Sequence, residues 1–483
     1  MADEAQDFVE EVPPKRDDLS RWYSAVWQKA GLADYSPVGG CMVIKPYGFA
    51  LWENMVAHLD ARFKATGHQN AYFPLFVPES LLLREAEHVE GFAPQVAWVT
   101  EAGGETLSER LAIRPTSEAI IGTMYARWIQ SWRDLPILIN QWCNVVRWEK
   151  RTRPFLRTTE FLWQEGHTAH RTFDEAQAET IQQLGAYQDF LENDLAIPVV
   201  KGRKSESEKF PGADATYTIE ALMPDGLALQ SGTSHNLGQN FSKAFNIDFQ
   251  DMDGERRFAW TTSWGLSTRA VGAVILVHGD DRGLILPPRV APTQVVLIPI
   301  PGRKPEESQA VDDTVKRLQR DLGVHQRVAV DWSDNRPGWK FNEWELRGVP
   351  IRLEVGPRDV AQSKVVLARR DTLEKRDVGL NELEAALRET LQAIQSNLFE
   401  RALAFRAANT HDVEDMERFR QIMEGSRGFL QARWCGDAEC EAQIKEETGA
   451  TIRCLPLDEA DEAGCCVRCD RPSARRAVFA RAY

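Results

Sequence analysis

The chain has 483 residues, 43% hydrophobic and 27% charged, with a formal net charge of −14. At roughly 150 residues per domain this makes about three domains and excludes a peptide or a single small module. No stretch approaches the roughly 20 apolar residues of a membrane span, so no membrane association is expected, and the acidic balance argues against nonspecific coating of nucleic acid, which needs dense lysine and arginine.

The first 14 residues of MADEAQDFVEEVPPK hold five acids and no base. They show neither the basic and apolar regions of a secretory signal nor an arginine-rich transit sequence, so a cytoplasmic location is expected. Residues 1–19 are read as an acidic extension.

From 20 to 289, helices and strands mix without regular alternation, which predicts an α+β fold around a largely antiparallel sheet. In GFALWENMVAHLDARFKATG, the residues Trp52, Met55, Val56, Leu59 and Phe63 recur at helical spacing, and Gly67 supplies the stop. AYFPLFVP reads as a buried strand. RPTSE (Arg114 to Glu118) opens a helix, where Thr116 and Glu118 suit capping and compensation of the helix dipole. In NVVRWEKRTRPFLRTTEFLWQEGHTAH two alternating runs flank a short polar loop, as in an antiparallel hairpin. Period two sets Arg147 and Glu149 on one face. An arginine on a rigid strand offers a bidentate fork to carboxylate or phosphate, while a nearby carboxylate can hold an amino group or, through water, a metal. Taken alone, an RxE pair reads more simply as a cross-strand salt bridge.

Near residue 290 the pattern changes. The strand APTQVVLIPI and a helix carrying Val311, Val315, Leu318 and Leu322 on one face begin a βαβ rhythm that continues through RVAVDW, GWKFNEWELRG, PIRLEV, SKVVLARR and a long helix. This defines an α/β domain over 290–401. Lys340, Trp344, Arg347 and Arg352 interleave aromatic and basic character, as readout of single-stranded RNA requires, although a solvated helix face with core tryptophans has the same look. Most of the fifteen tryptophans are expected in the core. A charged helical stretch over 402–432 is expected to lead into the tail, and 402–483 forms the last domain. Six of the eight cysteines fall in the final 49 residues. Cys435-x4-Cys440, 25 intervening residues and Cys466-x2-Cys469 form a two-plus-two set suited to a closed, structural Zn²⁺ site, and a tail with little core gains folding energy from the metal. Cys465 and Cys454 leave the register open; the two-residue spacing favours Cys466.

Arg147-Trp148-Glu149, a loop, Phe155 to Thr158 and then Glu160-Phe161 resemble motif 2 of the class II aminoacyl-tRNA synthetases. TGHQNAYFPLFVP resembles motif 1, with Pro74 at a dimer interface, and TTSWGLSTRAVGAVILVHGDDRG resembles motif 3, of whose glycine set only Gly265 remains. RPTSE and QSGTSHNLGQNFS (Gln230 to Ser242) resemble prolyl-tRNA synthetases, and the whole chain from about Ser20 is similar to their archaeal and eukaryote-like form.

The resemblance implies a class II antiparallel catalytic core, an anticodon-binding domain and a small zinc-binding domain, in a homodimer that joins L-proline to tRNA(Pro) through a prolyl adenylate. It implies ATP and Mg²⁺, with Arg147 and Arg269 as catalytic cations on the α- and γ-phosphates. Glu149 and the loop Leu156, Arg157, Thr158 would meet adenine and ribose, and Gln230, Thr233 and Ser267 the rest of ATP. Thr116, Glu118, Arg147, Trp163, His167 and His235 would hold proline. Histidines and a tryptophan at such positions also occur as plain packing. Glu165 and Gln230 are too close in sequence for the editing domain that some bacterial relatives insert, so none is expected; the family's terminal tyrosine, here Tyr483, can approach the site. Threonyl, glycyl or histidyl relatives and a non-catalytic RNA-binding relative are the competing readings. Threonyl enzymes place a catalytic metal in the pocket, and the TSE and GTSH segments show no His/Cys set for one, while the RNA-binding reading is opposed by the presence of both Arg147 and Arg269.

Overall fold

The computed structural model describes residues 12–88, 95–458 and 462–483; most of the acidic extension lies outside them. Six antiparallel strands form the centre: β1 (Ile137–Val146), β2 (Glu160–His170), β3 (Val199–Arg203), β4 (Ala215–Leu222), β5 (Ala228–Gly238) and β6 (Trp260–Ser267), in spatial order β3-β4-β5-β6-β2-β1. Three helices bear on the site: α1 (Glu118–Trp128), α2 (Phe173–Asp189) and α3 (Arg269–His278). Helix α2 begins at a capping box, with the Thr172 hydroxyl accepting from Glu175 N and the Glu175 carboxylate accepting from Thr172 N. It packs on β5 and β6. There the rings of Phe63, Tyr187 and Trp264 meet at 4.8–6.4 Å between centroids. Gly166 on β2 serves this contact, because a Cβ there would come within 2.1 Å of the Trp264 indole.

The helix predicted around Trp52 spans Pro46–Ala65, burying Leu51, Trp52, Met55, Leu59 and Phe63, and Gly67 follows at φ +88°. AYFPLFVP is not one buried strand. It contributes only Phe76–Pro78, after the short strand Gln69–Asn70, and Tyr72, Pro74 and Phe76 are exposed. Proline supplies no ladder donor, so Pro74 interrupts pairing and Pro78 ends the strand. Of the fifteen tryptophans, Trp22, Trp27, Trp52, Trp264 and Trp434 are buried, so the expectation of a mostly core role fails for the rest.

The α/β domain follows expectation. Val295–Pro299 pairs in parallel with Val328–Val330 and Ile351–Val355, and two antiparallel strands, Lys364–Arg369 and Lys375–Gly379, extend the sheet. Helix Pro305–Leu322 buries Val311, Val315, Leu318 and Leu322 against it. Helix α4 (Leu383–Ala408) runs through position 401, and the expected helical stretch to 432 is instead strand Thr410–Val413, helix Met416–Glu424 and strand Phe429–Arg433. Asp415 caps the new helix by accepting from Arg418 N at 2.8 Å, and Gly428, at φ +120°, lets the chain turn into the next strand. After α5 (Ala438–Thr448), strand β7 (Thr451–Pro456) pairs with β3 through Leu455–Arg203 and Pro456–Gly202. Four C-terminal strands thereby continue the central sheet, which with Gln69–Asn70 on its other edge has eleven strands among the described residues. No described helix is long and apolar enough to cross a membrane.

Candidate active site

Alternation along β2 puts Trp163, Glu165 and His167 on one face. The register lays their neighbours out in rows: Gln141, Glu165, Gly265 and Thr233 in one, His167, Ser263, His235 and Thr216 in the next. All of these but Gln141, together with Thr116 and Glu118 at the start of α1, and Arg147, Gln230, Ser267 and Arg269, line a cleft of about 330 Å³.

Glu165 is buried, which alone would raise its pKa. Hydrogen bonds from His167 Nε2 (3.1 Å), Ser117 Oγ (2.5 Å) and Gln141 Nε2 (2.8 Å) bring it down to about 2. Burial lowers His167, but the bond to Glu165 and the charges of Glu118 and Glu165 outweigh it and raise His167 above its ordinary 6.5. His235 goes the other way, to about 3, through burial and the neighbouring His167; its Nδ1 lies 3.0 Å from Thr216 Oγ1. The Thr116 hydroxyl donates to Glu118, so Thr116 and Glu118 face the cleft instead of capping α1 by side-chain bonds. The Trp163 indole donates to Cys143 Sγ at 3.3 Å.

Arg147 donates from Nε to the Pro115 carbonyl at 3.1 Å, and its guanidinium lies over the Phe161 and Trp163 rings at 5.6 and 5.2 Å. Solvent in the cleft reaches this side chain, which relieves part of the desolvation that lowers its pKa. Arg269 donates to the carbonyls of Leu156 (3.0 Å) and Gln230 (3.1 Å), and burial with the nearby Arg147 lowers it to about 10, still charged at neutral pH. Carbonyls steer both guanidiniums, leaving their charge for an anion. Acceptors and cations thus share one cleft, as an ammonium carboxylate beside a polyphosphate requires.

Four of the expected nucleotide contacts do not line this cleft. Glu149 and Arg157 bond to each other at 2.8 Å, Leu156 is buried in the core and offers only its carbonyl to Arg269, and Thr158 is buried with its hydroxyl on Glu160 O. Arg147 and Glu149 are not strand residues either, since β1 ends at Val146. Sequence reasoning passed over Glu165 as a site residue, although its odd-numbered position between Trp163 and His167 was the signal. It also missed Lys204 and Phe210, which lie between strands, where no periodicity reports them.

The Glu165–His167 pair makes a pH prediction. A raised His167 pKa means that its stabilisation is complete below about 6.5 and is lost as pH rises through the higher folded value. A histidine ring titration should give a His167 midpoint above 6.5 in the wild type and a lower one in Glu165→Gln. Equal midpoints would remove Glu165 as the cause.

In the α/β domain, two of the four proposed RNA contacts point inward. Lys340 Nζ donates to Asp331 O at 2.9 Å, and Arg352 is held by Glu345 (2.8 Å) and Glu354 (3.1 Å) beneath Phe341. Buried and paired cations cannot meet a splayed base. Trp344 donates to Asp331 Oδ2 at 2.8 Å and is half-buried, while Arg347 bonds Glu343 at 2.6 Å and stacks on Trp344.

The sulfurs of Cys435, Cys440, Cys466 and Cys469 lie within 4.8 Å of one another. Cys465 is exposed, and Cys454 packs in a separate cluster with Leu222 and Phe429, so neither joins the set. Backbone and guanidinium donors of Arg471 pull the Cys469 thiol down to about 6.

An antiparallel sheet carrying a hairpin arginine and a helix-borne arginine over one cleft is the core of a class II aminoacyl-tRNA synthetase. The family model for the "tRNA synthetase class II core domain (G, H, P, S and T)" matches residues 98–278, that for the "Anticodon binding domain" residues 294–390, and "Prolyl-tRNA synthetase, C-terminal" residues 416–483. The chain is 56% identical to a proline–tRNA ligase of Natranaerobius thermophilus over 100% of both chains, and 56% identical to one of Chlorobaculum tepidum over 99% of this chain and 100% of that one. The solved structure of prolyl-tRNA synthetase from Cryptosporidium parvum, complexed with halofuginone and AMPPNP, covers 98% of this chain and 99% of its own at TM-score 0.93 and 42% identity. The chain belongs to the prolyl-tRNA synthetase family, the enzymes that use ATP to attach proline to tRNA.

Proposed function

We propose that the cleft carries out the reaction in two steps. A proline carboxylate oxygen attacks the α-phosphorus of ATP, forming the prolyl adenylate as pyrophosphate leaves. A ribose hydroxyl at the end of tRNA(Pro) then attacks the acyl carbon, and AMP leaves. No side-chain nucleophile is needed, so catalysis is positioning plus charge neutralisation. Glu118, Glu165 and Thr116 supply acceptors for the secondary ammonium, Trp163 a flat wall for the ring, and His167 and His235 frame the row beside them. Arg147 and Arg269 face the phosphates, with Gln230, Thr233 and Ser267 between. ATP enters as its Mg²⁺ complex, which neutralises further phosphate charge.

The observation that carries this reading is the shared cleft: two carbonyl-steered arginines beside the Glu118–Glu165–His167 group. The test is ATP–pyrophosphate exchange with proline, threonine, glycine, histidine, alanine and cysteine. Exchange driven chiefly by proline is expected; exchange driven by another amino acid would overturn the pocket assignment.

The stretch between β2 and β5 is taken up by α2, β3 and β4 with their connections, which supports the absence of an editing domain. A proline pocket discriminates poorly against alanine, because a missing methylene is worth only about 1–3 kcal/mol. Added alanyl-tRNA(Pro) should therefore persist in the presence of the enzyme, and rapid deacylation would show an editing activity after all.

The four-cysteine set is read as a structural Zn²⁺ site. Tetrahedral Zn–S bonds near 2.3 Å need sulfurs about 3.8 Å apart, and Cys435 and Cys469 stand at 3.7 Å. Three domains, with the last boundary moved from 401 to the end of α4 at Ala408, a cytoplasmic location and a homodimer complete the proposal. For the dimer, the support is the exposed Tyr72, Pro74 and Phe76 of the motif 1 segment.

A further inference from the structure

Segment 204–211, between β3 and β4, brings Lys204, Lys209 and Phe210 to the cleft wall, and three ties fasten it to the C-terminal domain. Lys204 Nζ donates to Glu220 Oε1 at 3.0 Å, and the same carboxylate receives Arg453 of β7 through Nε and Nη2 at 3.1 Å. Ser205 Oγ donates to Glu441 Oε1 of α5 at 2.7 Å. Lys445, also on α5, lies 3.6 Å from Glu208.

Glu220 is fully buried. Burial alone would raise its pKa, yet Lys204 and Arg453 hold it below the ordinary carboxylate value. Ionic contacts of this kind, out of water, resist displacement, and removing one member is strongly felt. The far end of the segment meets the proline row directly. The Phe210 ring packs on His235 with centroids 4.7 Å apart, and Phe210 N donates to Thr216 Oγ1 at 2.9 Å. A shift at Lys204 and Ser205 is therefore passed along a short stretch to the wall beside His235.

We propose that Arg453 and Glu441 of the C-terminal domain are positioning residues for the cleft: through Glu220 and Ser205 they fix segment 204–211, and with it Phe210, where proline binding needs it. This rests on the cleft being the adenylation site.

The test compares Arg453→Gln, Arg453→Lys and Ser205→Ala with Arg420→Gln, a control that breaks only the exposed Arg420–Glu447 pair on the same domain. In proline-dependent pyrophosphate exchange, Arg453→Gln should raise the proline KM about tenfold and Ser205→Ala about threefold, with kcat within about twofold in both. Arg453→Lys should recover most of the loss. Hydrogen exchange should quicken at 204–211 while β1 and β2 keep their protection. Proline KM values within about twofold of wild type in both variants, or a rise shared by Arg420→Gln with protection lost across the sheet, would overturn the proposal. Should Arg453→Gln not fold, Ser205→Ala, which removes one hydroxyl and keeps the Lys204–Glu220–Arg453 cluster whole, decides alone. The wild-type enzyme in the same assay tests the cleft assignment separately, because that assignment fails if proline drives no exchange.

Discussion

Arg147→Ala is expected to lower kcat for proline-dependent ATP–pyrophosphate exchange by about 10²–10³, the cost of removing one preorganised donor from a developing phosphate charge. The folded state should barely notice, because the side chain gives up one bond to the Pro115 carbonyl and two ring contacts, about 1 kcal/mol in all. Arg147→Lys should recover only part of the rate, since an ammonium on a flexible stem cannot reproduce the planar fork. Kinetics and thermal unfolding measured on the same preparations separate the two effects. A variant within about tenfold of wild type in kcat would remove Arg147 from the phosphate.

The second large effect concerns stability. Cys466→Ser is expected to abolish stoichiometric zinc, whereas Cys465→Ser should leave it intact, because Cys465 is exposed and outside the four-sulfur group. A structural zinc carries about 10–16 kcal/mol of apparent binding free energy, which in a small domain is folding free energy. Cys466→Ser should therefore melt well below wild type, with the loss beginning around strand Phe429–Arg433, which ends two residues before Cys435. Metal analysis of the purified variants checks the first part and calorimetry the second. Equal zinc content in both variants would refute the register.

Much of the site was legible in the sequence through the motif resemblance, which implied Trp163 and His167, while spacing alone favoured Cys466 over Cys465. Strand alternation accounts for Trp163 and His167 sharing the cleft face, but the period-two placement of Arg147 and Glu149 fails where the strand stops at Val146. The errors have physical causes. In PIRLEV the alternation of Ile351, Leu353 and Val355 with Arg352 and Glu354 looks half-solvated, but helix Pro337–Leu346 covers the polar face and supplies Glu345 to Arg352. A sequence window does not reveal what lies across a sheet from it. Leu156 and Thr158 belong to a loop whose backbone serves the site while its side chains serve the core. Lys204 and Phe210 owe their place to residues more than one strand away, a relation that only the folded register creates.

The pairing of β7 with β3 also bears on how the chain is made. On the ribosome, β3 emerges before the whole anticodon-binding domain, and β7 follows only after it. During that interval β3 is an open edge with unpaired N–H and C=O groups, the kind of template on which nascent chains stick to one another. Its sequence, Val199 to Arg203, ends in Lys201, Gly202 and Arg203, and charge with a glycine is how natural edges discourage such pairing. Those residues protect a seam that the finished enzyme no longer exposes.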